Sequence, residues 1–269
     1  MYHKEHHEHR ELCPPKEKGR FKIEAVVVCR DYSDFLACTL PFNKQLFDRI
    51  VVVTSSHDKE TQRLCEFNHV QCVKASTLLD KGFYKGEAIN AGLAHLSMDG
   101  WVVQLDADIF LPPQTRRLLE RAQLADYMLY GIDRFIVPSA KAWQDFLHSP
   151  KLQHENEAYI HLNNSFPLGT RVMTCEDGYI PIGFFQMWNP KRSGIYNYPV
   201  GINTAGRTDM QFAKQWPREA RSFIPEIVAY HLESEANVPM GANWDGRKTA
   251  PFKVSEGKSL WQTLISLFK

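Results

Sequence analysis

Trp101-Val102-Val103-Gln104-Leu105-Asp106-Ala107-Asp108-Ile109-Phe110-Leu111 is the stretch on which the reading of this chain turns. A run suited to a buried strand meets two carboxylates, and apolar residues resume at once beyond them. In extended chain, side chains two apart share a face, so Asp106 and Asp108 are expected to converge. Like charges so placed repel unless a cation lies between them. Carboxylate oxygens suit Mg2+ or Mn2+, ions that complete their shells with substrate phosphates. Asp-x-Asp pairs also occur in turns and caps, but apolar flanks on both sides argue against a surface turn.

Upstream, the same strand-then-polar pattern repeats. Ile23 to Cys29, Arg49 to Val53 and Val70 to Val73 are short apolar runs of the kind buried parallel strands show. Phe35 to Phe47, with Pro41 complicating its course, Lys59 to Phe67 and Gly86 to Leu96 have helical spacing. This alternation predicts an α/β fold, a mostly parallel central sheet flanked by helices, with right-handed crossovers. Ligands of such sheets bind beyond the carboxyl ends of the strands. Arg30-Asp31-Tyr32, Thr54-Ser55-Ser56-His57-Asp58 and the Asp pair all fall there. A helix is expected over Pro112 to Leu124 and a strand over Tyr127 to Ile132. After about residue 140, aromatics, Pro and Gly become frequent and periodicity weakens, so the second half reads as irregular.

The bulk numbers exclude little. Net charge is +1, from 32 basic and 31 acidic residues, so no nucleic-acid partner is demanded or forbidden. No segment has the length of a membrane span, and the apolar stretch Leu260 to Phe268 is too short for one. The polar N-terminus lacks the apolar core of a signal peptide, so a cytosolic location is expected. None of the six cysteines (Cys13, Cys29, Cys38, Cys65, Cys72, Cys175) forms a Cys-x-x-Cys pair, which argues against a zinc ribbon and suits a reducing compartment. Cys29 and Cys72 read as small buried hydrophobes. Residues 1–20 read as a flexible polar arm; His3, His6, His7 and His9 there could chelate a metal, though a solvated arm is the plainer reading.

Other motifs carry two readings each. In Lys81-Gly82-Phe83-Tyr84-Lys85-Gly86-Glu87-Ala88-Ile89-Asn90-Ala91-Gly92, Gly86 allows a turn, and a helix N-terminus offers N–H groups to an anion. Lys85 could pair with a phosphate and Asn90 hydrogen-bond nearby; a solvated lysine at a helix start is the alternative. His231, after the apolar Ile227 to Tyr230, is a third metal ligand or a core histidine. Asp209, in Thr208-Asp209-Met210, is a helix cap, which the sequence alone favours, or a general base. Gly183-Phe184-Phe185-Gln186-Met187-Trp188 is a core strand or an acceptor wall presenting Phe185, Gln186 and Trp188. Asn243 to Lys248 is a solvated turn or a loop that closes over diphosphate with Arg247 and Lys248.

Together, these residues resemble the GT-A-fold glycosyltransferases of the inverting family typified by cellulose and chitin synthases. The resemblance covers about residues 22–250 and rests on Ala25 to Cys29, Lys85-Gly86 with Asn90-Ala91-Gly92, Asp106-Ala107-Asp108, Thr208-Asp209 and His231. It implies a Rossmann-like GT-A domain over 21–269, with a nucleotide-sugar half (21–135) and an acceptor and catalytic half (136–250). It implies metal and diphosphate on Asp106 and Asp108 and Asp209 as base, with His231 the candidate third metal ligand. Donor contacts would come from Cys29, Asp31, Thr54, Asp58, Lys85, Asn90, Asp106, Arg247 and Lys248. The family often has Glu-Asp where this chain has Thr208-Asp209, and the processive members' Gln-x-x-Arg-Trp is missing, so one sugar per acceptor is expected. A narrower resemblance, through Asp34-Phe35-Leu36, Thr39 to Phe42 and Phe47 to Thr54, is to base-J glucosyltransferases and phage relatives. It implies glucose from UDP-glucose placed on the hydroxymethyl group of a pyrimidine such as 5-hydroxymethylcytosine in DNA. Two other classes stay open. Nucleotidylyltransferases share the sheet but open with a Gly-rich signature where Arg30-Asp31-Tyr32-Ser33 stands here, and a nucleotide-sugar-binding module would lack catalysis.

Overall fold

The computed structural model describes residues 21–78, 82–147, 172–174, 177–236, 238–239 and 241–254. The N-terminal arm with Cys13, the Cys175 position and Leu260 to Phe268 lie outside the described residues. The first half alternates as its sequence pattern requires: β1 (Ile23–Val28), α1 (Ser33–Asn43), β2 (Arg49–Thr54), α2 (Lys59–Phe67), β3 (Gln71–Lys74), a 3₁₀ turn (Ser76–Leu78), α3 (Lys85–Leu93) and β4 (Trp101–Asp106). There follow β5 (Ile109–Phe110), α4 (Thr115–Arg121), β6 (Leu129–Val137), α5 (Ala140–Leu147), β7 (Val172–Thr174), β8 (Gly178–Ile180), β9 (Phe185–Trp188), α6 (Pro190–Ser193), α7 (Ala205–Ala213) and β10 (Arg221–Leu232). Pro41 sits inside the last turn of α1 and withholds one N–H from its hydrogen-bond ladder.

Eight strands form one sheet in the order β3-β2-β1-β4-β9-β6-β10-β5, and β7 pairs only with β8. The run from β3 through β4 is parallel. β9 is antiparallel to both its neighbours, so β6 and its parallel partner β10 regain the direction of β4. The carboxyl ends of β1, β2, β4, β6 and β10 therefore share one edge, and the site is built there. The mostly parallel, helix-flanked sheet expected from the sequence is what forms.

Helices cover both faces, which is why the inner strands carry near-continuous apolar runs rather than strict alternation. On one face Leu36, Leu40, Cys65 and Leu119 pack on Val27, Val52 and Val103; on the other Ile89, Leu93 and Phe212 pack on Val26, Val51 and Trp188. α3 lies close to the sheet because Gly92 has no side chain; a Cβ there would sit 2.6 Å from Val53 Cγ2. Among the described residues no helix is long and apolar enough to cross a membrane.

Candidate active site

β4 ends at Asp106, and residues 107–108 make a turn before β5 resumes. The expected extended stretch is therefore interrupted, and the two carboxylates take different partners. α1 fixes the turn: Thr39 Oγ1 donates to the Ala107 carbonyl at 2.7 Å, and Asn43 Nδ2 donates to the Ile109 carbonyl at 2.7 Å. Asp106 Oδ1 accepts from Lys85 Nζ at 2.5 Å and from Gln104 Nε2 at 2.9 Å. Burial works against the Lys85 ammonium, but the Asp106 carboxylate beside it outweighs that and holds its pKa above the ordinary lysine range. Lys85 is thus a buried counter-ion of Asp106.

Asp108 turns to β10 instead. His231 Nε2 lies 3.3 Å from Asp108 Oδ2 and 3.7 Å from Glu233 Oε1. The strand pairing that sets His231 opposite Ile109 makes this approach obligatory. Burial pushes the Asp108 carboxyl up, yet the His231 charge and hydrogen bond overcome it and hold its pKa below the usual carboxylate range. Burial raises that of Glu233, with only partial relief from His231. Asp108 Oδ1 and His231 Nδ1 are buried with no hydrogen-bond partner, an expensive arrangement unless something else satisfies them. No cluster of three His, Cys, Asp or Glu side chains suited to a metal ion occurs among the described residues. The three expected ligands divide here between two pairs, Asp106 with Lys85 and Asp108 with His231.

Asp209 is not a cap. Thr204 caps α7, its side chain accepting from the Gly206 N–H, and Asp209 falls within the helix. Its Oδ2 accepts from the Gly183 N–H at 2.5 Å, and its Oδ1 from the Met210 N–H at 2.8 Å. Gly183 is required there, since a Cβ would lie 2.7 Å from Asp209 Cβ. The Gly183 carbonyl also accepts from Lys85 Nζ at 3.3 Å. One residue thus brings Asp209, Lys85 and Asp106 into a single pocket wall.

Several expected contacts prove to be structural. Phe185, Gln186 and Trp188 are fully buried, because β9 is a central strand with helices on both faces. Gln186 receives Tyr198 Oη at 2.6 Å and donates to the carbonyls of Pro181 and Asp209 at 2.8 and 3.0 Å; it braces α7 rather than an acceptor. Trp188 Nε1 donates to the Ile195 carbonyl. Asn90 clamps both backbone groups of Tyr198, at 2.7 and 2.9 Å, and Gly86 makes room for the Pro199 carbonyl. Cys29 is buried against Thr61, and burial pushes its thiol pKa well above the ordinary range. Asp58 caps α2 and also accepts from Thr54 Oγ1, Thr61 Oγ1 and the Asp31 N–H, tying the ends of β1 and β2 together. Arg247 is bound through both terminal nitrogens to Asp34, at 2.7 and 2.8 Å, and packs over Tyr32 and Phe35. Asp31, in a left-handed conformation at φ 60°, and Lys248 remain exposed.

Two charged residues of the site carry no role in the sequence reading. Glu233 follows His231 by two. Arg134 interrupts the apolar run of β6 and stacks on Phe184, 4.5 Å from its guanidinium carbon to the ring centre. A charged pair, Asp133-Arg134, inside an otherwise buried strand was the available signal.

No family model matches the chain, and no curated protein matches it. Among solved structures, similarity is to glycosyltransferases. Glucosyl-3-phosphoglycerate synthase from Mycobacterium tuberculosis, in complex with Mn2+, UDP-glucose and phosphoglyceric acid, is 16% identical over 83% of this chain and 74% of that one, with a TM-score of 0.48. The same enzyme in complex with UDP gives 14%, 83%, 75% and 0.47. Mannosyl-3-phosphoglycerate synthase from Rubrobacter xylanophilus is 15% identical over 50% of this chain and 44% of that one, with a TM-score of 0.35. These are partial likenesses of shape, and the chemistry below rests on this chain's own side chains.

Proposed function

We propose that this chain is a hexosyltransferase that moves one sugar, glucose from UDP-glucose, onto an acceptor hydroxyl with the help of Mn2+ or Mg2+. The observation that carries the reading is the Asp108–His231 pair at the carboxyl edge of the sheet, where His231 Nε2 faces Asp108 Oδ2 at 3.3 Å, a separation two ligands of one ion can have, and Asp108 Oδ1 is buried and unsatisfied. That donor set fits an ion that takes one or two protein ligands and leaves its other positions to phosphate and water. When bound, the ion offsets charge gathering on the departing diphosphate.

The chain's own groups do the rest. The Gly183 N–H fixes the Asp209 carboxylate, which takes the proton of the acceptor hydroxyl. Attack on the anomeric carbon opposite the leaving group inverts it. Lys85 is the counter-ion of Asp106 in a buried wall of the donor site. Mn2+-dependent release of UDP from UDP-glucose should occur in the wild type and fall by about 10²–10⁴ in Asp209→Asn. Release unchanged by this substitution would remove the base assignment.

The modified-DNA acceptor rests on a sequence resemblance whose residues hold the fold. Asp34 binds Arg247, Thr39 the Ala107 carbonyl, and Asp48 the Ile23 N–H. It is tested by offering hydroxymethylcytosine DNA, hydroxymethyluracil DNA, plain DNA and small hydroxylated metabolites with labelled UDP-glucose; label on a metabolite alone would dismiss DNA.

A further inference from the structure

The site contains a cation that its own carboxylates do not engage. Arg134 lies on β6 with its guanidinium over the ring of Phe184, the chain neighbour of Gly183, which holds Asp209. Its guanidinium stacks on Phe184 and makes no hydrogen bond to any described residue; its Nε is buried and unpartnered. Yet Asp108, Asp106, Glu233 and Asp209 all act on it electrostatically. Each has another engagement: Asp106 with Lys85, Asp108 and Glu233 with His231, Asp209 with Gly183. Burial alone weakens the hold on the Arg134 proton, and the four carboxylates only partly restore it. Leaving the Arg134 Nε–H buried without a hydrogen bond is costly. A stack on an aromatic ring leaves the edge of the guanidinium free to receive two oxygens at once.

We propose that Arg134 is an oxyanion-binding side chain of this site, taking phosphate or carboxylate oxygens of a substrate. The oxyanion has two possible sources, the diphosphate of the donor or an acid group on the acceptor, and this assignment rests on the glycosyl-transfer reading above. Because Asp209 hangs from Gly183, next in the chain to the Phe184 on which Arg134 stacks, an acceptor acid held by Arg134 would lie near the base that deprotonates its hydroxyl.

Binding measurements with Arg134→Met and Arg134→Lys separate the sources. The ligands are UDP and uridine with Mn2+, then inorganic phosphate added to protein loaded with Mn2+ and UDP, and to protein with neither. UDP weakened about tenfold or more by loss of the guanidinium, with uridine unchanged, assigns Arg134 to the donor diphosphate. UDP unchanged, with phosphate binding to the loaded wild type lost in the variant, assigns it to an acidic acceptor. UDP and phosphate binding that are both unaffected overturn the proposal. If Arg134→Met does not fold, Arg134→Lys is read the same way, since an ammonium lacks the two parallel donors. A wild type that binds no UDP with any metal would fail the glycosyl-transfer reading instead, and phosphate binding to the unloaded protein would still report on Arg134.

Discussion

Lys85→Met removes an ammonium while keeping the length and most of the volume of the side chain. In the native protein Lys85 Nζ lies 2.5 Å from Asp106 Oδ1, with 9% of the lysine side chain and 30% of the aspartate side chain exposed. Breaking one half of a fully buried pair costs about 3–5 kcal/mol, because a charge is left uncompensated. Asp106 is not fully buried and keeps its bond from Gln104, so about 2–3 kcal/mol is expected here. For a chain of this size that is a fall in Tm of about 4–12 °C. Burial already pushes the Asp106 carboxyl up in pKa against the pull of Lys85. Without Lys85 the folded-state pKa rises further above the unfolded value, so the destabilisation is absent below the unfolded pKa and grows as pH rises through the folded one. Thermal melts from pH 4 to 8, read by circular dichroism, measure this directly. Lys85→Met/Asp106→Asn should recover most of the loss, since a neutral pair replaces an orphaned charge. A single variant that melts within about 1 °C of wild type at pH 8, or a double variant as damaged as the single, would refute the locked-pair account.

Gly183→Ala should lower kcat by at least about tenfold while leaving the KM for UDP-glucose within about twofold, because the added Cβ displaces the base and not the donor; steady-state kinetics distinguish the two. Glu233→Gln should raise Tm at neutral pH. The folded pKa of Glu233 is raised by burial, so its charged form weakens the fold, and the gain should vanish as pH falls below the unfolded carboxyl range; a gain that grows with acidity would contradict this.

The first half of the fold was legible because buried parallel strands write themselves as apolar runs closed by polar residues. Ile23 to Cys29 and Lys59 to Phe67 match β1 and α2 to within a residue. The same rule misled at Phe185 to Trp188. A strand buried on both faces and a wall of aromatic residues have the same composition, and only the topology, with β9 running backwards between β4 and β6, decides between them. Asp106 and Asp108 were legible as carboxylates at a strand end but not as residues with separate partners, since the turn at residues 107–108 depends on Thr39 and Asn43, more than sixty residues upstream. Asn90, Asp58 and Arg247 drew attention as polar residues near strand ends. Their partners are set by tertiary contacts, Asn90 with Tyr198 and Arg247 with Asp34, which spacing does not reveal. Arg134 was visible only as a charge in the wrong place within an apolar strand.

The central claim is that Asp108 and His231, and not Asp106, present the metal donors. It is tested most directly by Mn2+ titrations, followed by electron paramagnetic resonance in the presence of UDP, for wild type, Asp106→Asn, Asp108→Asn and His231→Ala. The account predicts that Asp108→Asn and His231→Ala each weaken Mn2+ binding by about ten- to a hundredfold or more, whereas Asp106→Asn shifts it by less than about threefold. Equal loss in all three variants would restore the converging carboxylates. Tight Mn2+ binding in Asp108→Asn or His231→Ala would move the metal away from this edge of the sheet.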